Sequence, residues 1–402
     1  MGELTFDDKI YGNDGKLHNL IGIFPQGKKP VYSILFSDGT STKCSDQHLW
    51  TVFNVDKQKY ETVELNDLLA RGIYRRGKNK LHNYKIPLTA PIEFNSVDSL
   101  PINPYILGVL IGDGALTNGA RFASADQEIV DNIKERLIPG YQVSKQAAKY
   151  TYGINRVSKS TVYDPVHKVH RPLLNEYLAH IKNYGLNVTA QFKHIPENYL
   201  HASIAARIEL LQGLMDTDGS INEDGSVLVY TTVSEQLKND FVFLVQSLGG
   251  TCHIRYKQPY FTDKNGDKKA GLPAYNIGVK LPKHIIPFKL TRKANRLSEK
   301  ALDPFRYIVD IKYEGEEDCQ CIYIDSQEHL YLTNDFIVTH NSTCAVICQL
   351  YMLYRLLCLK DPYLYYGMQP IDKITISLMN ITIENAKGVA LDKLNQLILS
   401  SD

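Results

Sequence analysis

The spacing of apolar residues changes period several times along this chain. Residues 1 to about 100 carry the two-residue alternation of strands. "KPVYSILFSDGTSTKC" contains two strand-like runs joined around Asp38-Gly39, which predicts a hairpin. Residues 101 to about 290 mix helical and strand periods. Residues 300–341 return to strand patterns in "YIVDIKYEG", "CQCIYIDS" and "HLYLTNDFIVTH". After Asn341 the style changes again, to an apolar helix in "STCAVICQLYMLYRLL" and then a strand in "KITISLMNIT". The β-type material therefore comes in two pieces around a mixed zone, and an insertion into a β domain is the simplest topology. At His340-Asn341-Ser342 the strand period becomes a helical one with no Gly or Pro between them.

The mixed zone contains a repeat. "ILGVLIGDG" ends at Gly114 and "LQGLMDTDG" ends at Gly219. Each is a short apolar helix closed by Asp-Gly. Gly108 and Gly112 are four residues apart, as are Gly213 and Thr217, so each pair lies on one helical face. Small residues at that spacing let two helix backbones approach closely. "FASADQEIVDNIKERL" follows the first copy and "YTTVSEQLKNDFVFLVQSLG" the second. Ser124-x-x-Gln127 and Thr232-x-x-Glu235 fit the capping box. Each half thus reads as helix, strands, capped helix, and two such halves predict a pseudo-twofold pair.

The repeat places Asp113 and Asp218 at the C-terminal ends of their helices. There the helix dipole disfavours a carboxylate by about 0.3–1 kcal/mol. Gly114 and Gly219 are expected as left-handed C-caps. If the helices pack together, both carboxylates emerge at one end of the seam and repel each other. Divalent cations relieve such a clash, and hard carboxylate oxygens suit Mg²⁺. Cations beside paired carboxylates suit phosphodiester hydrolysis.

Composition narrows the picture only slightly. The chain has 402 residues, enough for two or three domains, with 45 Lys and Arg against 44 Asp and Glu. A nucleic-acid partner would therefore need local basic patches. The seven cysteines show no C-x-x-C pair, and no secretory leader is visible, which predicts a reduced, cytoplasmic setting in a bacterial host or phage-infected cell. The apolar run Ala345–Leu359 is short and interrupted by Gln349 and Arg355, so no membrane span is expected.

The paired motifs resemble those of LAGLIDADG homing endonucleases. The match is close in the second copy, while the first lacks an acid at its sixth position, where the second carries Asp216. The resemblance covers about residues 100–295. It implies that Asp113 and Asp218, at the eighth positions, are the catalytic, Mg²⁺-binding acids. "FKHIPENYL" is similar to an element preceding the second motif in intein-borne members, which implies Lys193 as the catalytic lysine, with Lys280 as its symmetry-related candidate. The implied partner is double-stranded DNA, a long asymmetric target in the uninterrupted host gene, bound by a monomer with internal pseudo-symmetry. The strand patterns within residues 252–281 fit a two-stranded ribbon of the kind that enters a major groove. Arg255, Lys257, Lys264, Lys268, Lys269 and Lys280 are its candidate DNA contacts, with Tyr256, Tyr260 and Tyr275 interleaved. "KQAAKYTYGINRVSK" is the counterpart in the first half.

The flanking β pieces carry a second chemistry. "CSDQHLW" holds Ser45-x-x-His48 after a strand, and the other piece ends in His340-Asn341 before Ser342. An Asn side-chain nitrogen can attack its own carbonyl and cut the Asn341–Ser342 bond, with His340 and His329 moving protons and Ser342 offering a hydroxyl nucleophile. The arrangement resembles an intein, a Hint domain interrupted by a homing endonuclease, over roughly residues 1–95 and 300–341. That likeness implies that His48 with Ser45 activates the upstream junction, that His329 and His340 assist the last steps, that Asn341 cyclises and that Ser342 opens the downstream host sequence. The chain departs from the family in beginning "MGELTFDDKIYGNDG", so the N-terminal part of the splicing domain is expected to be truncated at its start, with incomplete splicing. The residues after 341 resemble the ATPase domain of phage terminase large subunits, with Ser342 or Thr343 following an interrupted phosphate-binding loop.

The expected fold class is α+β. An all-β, horseshoe-like Hint splicing domain (1–97 and 296–341) is interrupted by a pseudo-twofold αββαββα LAGLIDADG endonuclease domain (98–295). A short α/β host-protein tail (342–402) follows. A splicing element with an inactive nuclease is the alternative.

Overall fold

The computed structural model describes residues 2–75, 81–95, 99–117, 119–158, 161–164, 168–262, 266–298, 303–340, 351, 353–361 and 364–365. The chain divides into two compact units. One runs to Leu88 and resumes at Phe305; the other spans Thr89–Pro304.

The discontinuous unit opens with β1 (Lys9–Tyr11), β2 (Leu17–Phe36), β3 (Ser41–Ser45), β4 (Leu49–Asn54), β5 (Lys59–Glu64), helix α1 (Leu65–Arg71) and β6 (Tyr84–Ile86). The Asp38-Gly39 hairpin forms between β2 and β3. Gly39 adopts φ 87° and its N–H donates to the Phe36 carbonyl at 2.9 Å, a backbone state that favours glycine.

The continuous unit repeats one order of elements. Its first half holds α2 (Pro104–Asp113), β7 (Gly114–Ala115), β8 (Arg121–Ala123), α3 (Gln127–Glu135), β9 (Tyr141–Lys145), β10 (Thr151–Arg156), β11 (Thr161–Asp164), β12 (Val169–Pro172) and α4 (Glu176–Asn183). After α5 (Glu197–Leu200), the second half holds α6 (Ile204–Thr217), β13 (Gly219–Ile221), β14 (Leu228–Thr232), α7 (Glu235–Ser247), β15 (Thr251–Lys257), β16 (Tyr260–Thr262), β17 (Lys268–Ala270), β18 (Ala274–Lys280) and α8 (Thr291–Ala294). Each half builds a four-stranded antiparallel sheet, in order β7-β8-β10-β9 and β13-β14-β18-β15. The ribbons β11-β12 and β16-β17 stand apart.

Helices α2 and α6 lie in one apolar core shared by both halves, with Tyr105, Ile106, Val109 and Leu110 from one and Leu210, Leu211, Leu214 and Met215 from the other. An α2 that is apolar on every side can only be internal. The helix starts differ from the capping-box expectation. The N-caps are Asp126 and Ser234, two residues later, and Ser234 accepts from the Leu237 N–H. Ser124 and Thr232 instead accept from the N–H groups of Asp126 and Ser234. A side-chain oxygen two residues upstream closes a small turn there, and the next polar residue takes the cap.

The chain then returns through β19 (Arg306–Ile324), β20 (Leu330–Thr333) and β21 (Ile337–His340). These join the first strands in one sheet, ordered β1-β2-β19-β6-β4-β21-β20, with β3 on β2 and β5 on β4. Strands β2 and β19 pair along almost their whole length with four register shifts, at Ile308/Asp310, Tyr313/Gly315, Cys319/Gln320 and Tyr323/Ile324. Such irregularities bend and twist a long ribbon. The core of this unit gathers Ile34, Phe36, Trp50, Val52, Tyr84 and Ile337. Buried Arg306 binds Asp38 at 2.6 Å and the carbonyls of Asp335 and Phe336, tying the β2–β3 hairpin to the turn before β21. The tail expected as helix and strand lies largely outside the described residues.

Candidate functional site

The seam between α2 and α6 is built on glycine. A Cβ added to Gly108 would lie 2.5 Å from the Leu210 carbonyl oxygen, and one on Gly213 would lie 2.3 Å from that of Tyr105. No side chain fits there, so the two backbones touch. One turn lower, a Cβ on Gly112 would meet the Thr217 hydroxyl and would come within 3.4 Å of Asp218 Oδ2. The next residues, Asp113 and Asp218, leave the seam together at its foot.

Gly114 and Gly219 are not left-handed caps, contrary to expectation. Gly114 is extended (φ −81°, ψ 138°), and both residues open strands. Close approach is what selects them: a Cβ on Gly114 would lie 2.0 Å from the Leu110 carbonyl oxygen, and one on Gly219 2.4 Å from that of Met215.

Both carboxyls are raised, and Asp113 contributes to the shift of Asp218. Burial, then the charge of Asp113, lifts the Asp218 carboxyl to about 6, against the pull of Lys193 and Lys293. Asp113, the more exposed of the two, is raised in the same direction, by burial against the pull of the same two lysines.

Two buried lysines flank them. Lys193 Nζ donates to the carbonyls of Ile111 at 2.7 Å and of Gly112 and Gly114 at 2.9 Å. Lys293 Nζ donates to Met215, Asp216 and Gly219 at 2.8, 2.7 and 2.6 Å. Each ammonium thus spends its three protons on the free carbonyls at the end of one seam helix. Lys293, not Lys280, is the counterpart of Lys193. Lys280 sits exposed at the end of β18. Nothing in "LTRKANR" marks Lys293 as special, because a basic run usually reads as a solvated surface.

The lysine-bearing segments brace the halves crosswise. Lys193 serves α2 of the first half, while its own carbonyl accepts from Ser234 at the start of α7 in the second. Lys293 serves α6 of the second half, while Thr291 binds Glu128 and Arg292 binds Asp126 at the start of α3 in the first. Asp216 completes this brace. Its carboxylate accepts from the Leu290 and Lys289 N–H groups and from the Tyr105 hydroxyl at 2.9 Å, so it holds the α8 segment in place.

The donor set fits a divalent cation. Asp113 and Asp218 offer hard oxygens whose charged forms are disfavoured here, and the buried Tyr230 hydroxyl has no hydrogen-bond partner among the described atoms. Among the described residues no cluster of three or more His, Cys, Asp and Glu side chains forms a complete protein cage.

Strand register sorts the candidate DNA contacts. Cys252, Ile277 and Val279 face the core. Alternation therefore puts Arg255 and Lys257 of β15 on the outer face, with Asn276 and Lys280 of β18. Lys268 and Lys269 lie exposed on β17, with Lys268 Nζ 5.3 Å from the centre of the Tyr260 ring. Lys264 is outside the described residues. The outer face of the first sheet is rich in amides and hydroxyls instead, with Gln142, Ser144 and Asn155 linked by the Asn155–Ser144 bond.

Residues 205–271 match the model of the LAGLIDADG-like domain family. They cover nearly all of α6, Asp218, the strands β13, β14 and β15 and the β16-β17 ribbon, and end before β18. Over 375 residues the chain is 26% identical to the replicative DNA helicase DnaB of Mycobacterium intracellulare, covering 86% of this chain and 56% of the helicase; the chain spans about half the length of the curated relative it matches. Among solved structures, the homing endonuclease I-DmoI bound to DNA and Ca is 14% identical, covering 48% of this chain and 95% of that one with a TM-score of 0.29. An I-DmoI variant with nicked target DNA and Mn is also 14% identical, covering 49% and 98% with a TM-score of 0.28. Mesophilic I-DmoI variants are 13% identical, covering 51% and 93% with a TM-score of 0.27. Likeness at that level does not bear on the site, which stands on its own geometry.

The discontinuous unit gathers the other expected residues. His48 Nε2 is hydrogen-bonded to the Thr339 hydroxyl, a partner the sequence did not suggest. Leu330 and Leu49 are the register partners of His340, which places His340 between β20 and β4. Burial drops the His48 imidazole to about 4. Burial first, then His48 and His329, drops His340 to about 3. His329 takes a left-handed backbone (φ 55°). The Ser45 carbonyl accepts the His48 N–H at 3.1 Å at the end of β3. Asn341 and Ser342 lie outside the described residues. Among the described residues no helix is long and apolar enough to cross a membrane.

Proposed function

We propose that this chain is a divalent-cation-dependent, site-specific DNA endonuclease carried within a protein-splicing element. One observation carries the nuclease reading: the glycine seam delivers Asp113 and Asp218 to a common point under shared electrostatic stress. Asp113 and Asp218 would hold Mg²⁺, which supplies Lewis-acid activation of water and phosphate when bound. Lys193 and Lys293 keep the helix ends closed and add positive charge beside the carboxylates. Arg255, Lys257 and Lys280 on one sheet face would hold duplex phosphates, while the amide-rich face of the first sheet suits base edges. The two unlike faces fit a long, asymmetric target and a monomer. The test is Mg²⁺-dependent cutting of the uninterrupted host gene, with Asp218→Asn as control. A wild-type protein that cuts nothing sinks the nuclease and leaves the alternative, a splicing element with an inactive nuclease.

The splicing reading is supported by the half-buried His48 and His340, the latter directly preceding Asn341 in the chain. Neutral His48 and His340 suit proton transfer at a peptide bond. Mass spectrometry should detect release of the piece beginning at Ser342, and Asn341→Ala should abolish it. The host reading stays a terminase-like ATPase; the helicase relative offers a second host of different kind. Sequencing the uninterrupted gene distinguishes them.

A further inference from the structure

Tyr230 sits on β14 opposite Gly219 of β13, directly after Asp218 in the chain. It is fully buried. Its ring stacks on Phe241 with centroids 4.0 Å apart and 10° between planes, which fixes where the hydroxyl points. Burial first, and then the charges of Asp218 and Asp113, hold the phenol well above its ordinary range. Yet the hydroxyl bonds to neither carboxylate, nor to any other described protein atom. A buried phenol with no partner is costly to the fold, and such a group calls for an explanation such as a bound water or ion.

We propose that the Tyr230 hydroxyl is a positioning donor of the nuclease site, giving a hydrogen bond to a water held at the Asp113–Asp218 pair when a divalent cation is bound. This rests on the reading of those two aspartates as the cation site. A water bridges polar groups too far apart for a direct bond, and the stacked ring holds this donor rigidly. The device is one-sided. The register partner of Gly114 in the first half is Phe122, which has the same ring and no hydroxyl. The two strands of the duplex would then meet unequal sites.

The test is Tyr230→Phe in the full chain, which keeps the stacked ring and removes one oxygen. Ca²⁺ binding is read by calorimetry and by the cation-induced rise in Tm, beside wild type and Asp218→Asn. Expected is a cation-free Tm equal to or above wild type, Ca²⁺ affinity about tenfold weaker, the size of one hydrogen bond, and, in Mg²⁺, slower cutting of one DNA strand than of the other. Unchanged Ca²⁺ affinity, or a fall in cation-free Tm of several degrees, overturns the proposal, the latter by showing that the hydroxyl already has a structural partner. Wild type that binds no Ca²⁺ and cuts no DNA overturns the parent reading and this one with it. Wild type that binds Ca²⁺ while Tyr230→Phe binds it equally overturns this one alone.

Discussion

Lys193 and Lys293 are equivalent residues: each buries its ammonium against three carbonyl oxygens at the foot of one seam helix, and each comes from a segment anchored on the opposite half. The arrangement makes the two aspartates depend on both halves at once.

Replacing either lysine with Met should therefore act on its own helix end. Three carbonyls would lose their donor in a buried place, at a cost of about 1–3 kcal/mol. Chemical denaturation should register that loss for both variants. Strand-resolved cleavage should show a different favoured strand for Lys193→Met and Lys293→Met. Equal slowing of both strands by both variants would refute the division of labour.

Arg292→Ala breaks the bidentate bond to Asp126 without touching the lysine. Its strand preference should follow that of Lys293→Met in a weaker form. A preference matching Lys193→Met would contradict the crosswise brace.

Gly213→Ala should be among the most damaging single-methyl changes in the chain. The new Cβ meets backbone on the other helix, which cannot rotate away, so overpacking costs about 1–3 kcal/mol or more. Gly119→Ala, where the nearest neighbour is an arginine side chain at 3.5 Å, is the control and should be close to neutral. A thermal melt separates the two.

Acid should favour the cation-free continuous unit locally. The Asp218 carboxyl is raised from 3.8 to about 6 on folding. Between those values the folded state holds a proton that the unfolded state has lost, so this group's contribution to stability falls as pH rises from about 4 to 6. Asp218→Asn should remove that slope, raise the Tm at pH 7 without cations, and abolish the stabilisation by Ca²⁺. A steeper slope in the variant would reverse the assignment.

The histidines give the opposite sign. His48 and His340 titrate at about 4 and about 3, below the ordinary 6.5. Below 6.5 the unfolded chain binds protons that the folded one refuses, so stability falls as pH drops toward 4, by about 1.4 kcal/mol per pH unit for each histidine. His48→Gln should flatten the acid limb of the denaturation curve relative to wild type. An unchanged limb would place the sensitivity elsewhere.

Periodicity carried much of the fold. The Asp38-Gly39 hairpin, the two apolar helices and the order of elements around them follow from local spacing, because helix and strand periods are properties of neighbouring residues. The repeat also made Asp113 and Asp218 visible, since a polar residue ending an apolar helix stands out twice. Lys293, Tyr230, Thr339 and the role of Asp216 were not visible. Each acts through a partner far away in sequence, and nothing in a basic run or a strand tyrosine says which carbonyl or carboxylate it will face.

By itself, then, the amino-acid order determined the periods, the duplication and the small residues that make a close helix pair possible. Tertiary structure decided which lysine caps which helix, why Gly114 and Gly219 must be glycine, and which hydroxyl is buried beside the carboxylates. The reason is physical: periodicity is written in contacts within a few residues, whereas burial, shared charge and crosswise bracing exist only once distant segments have met.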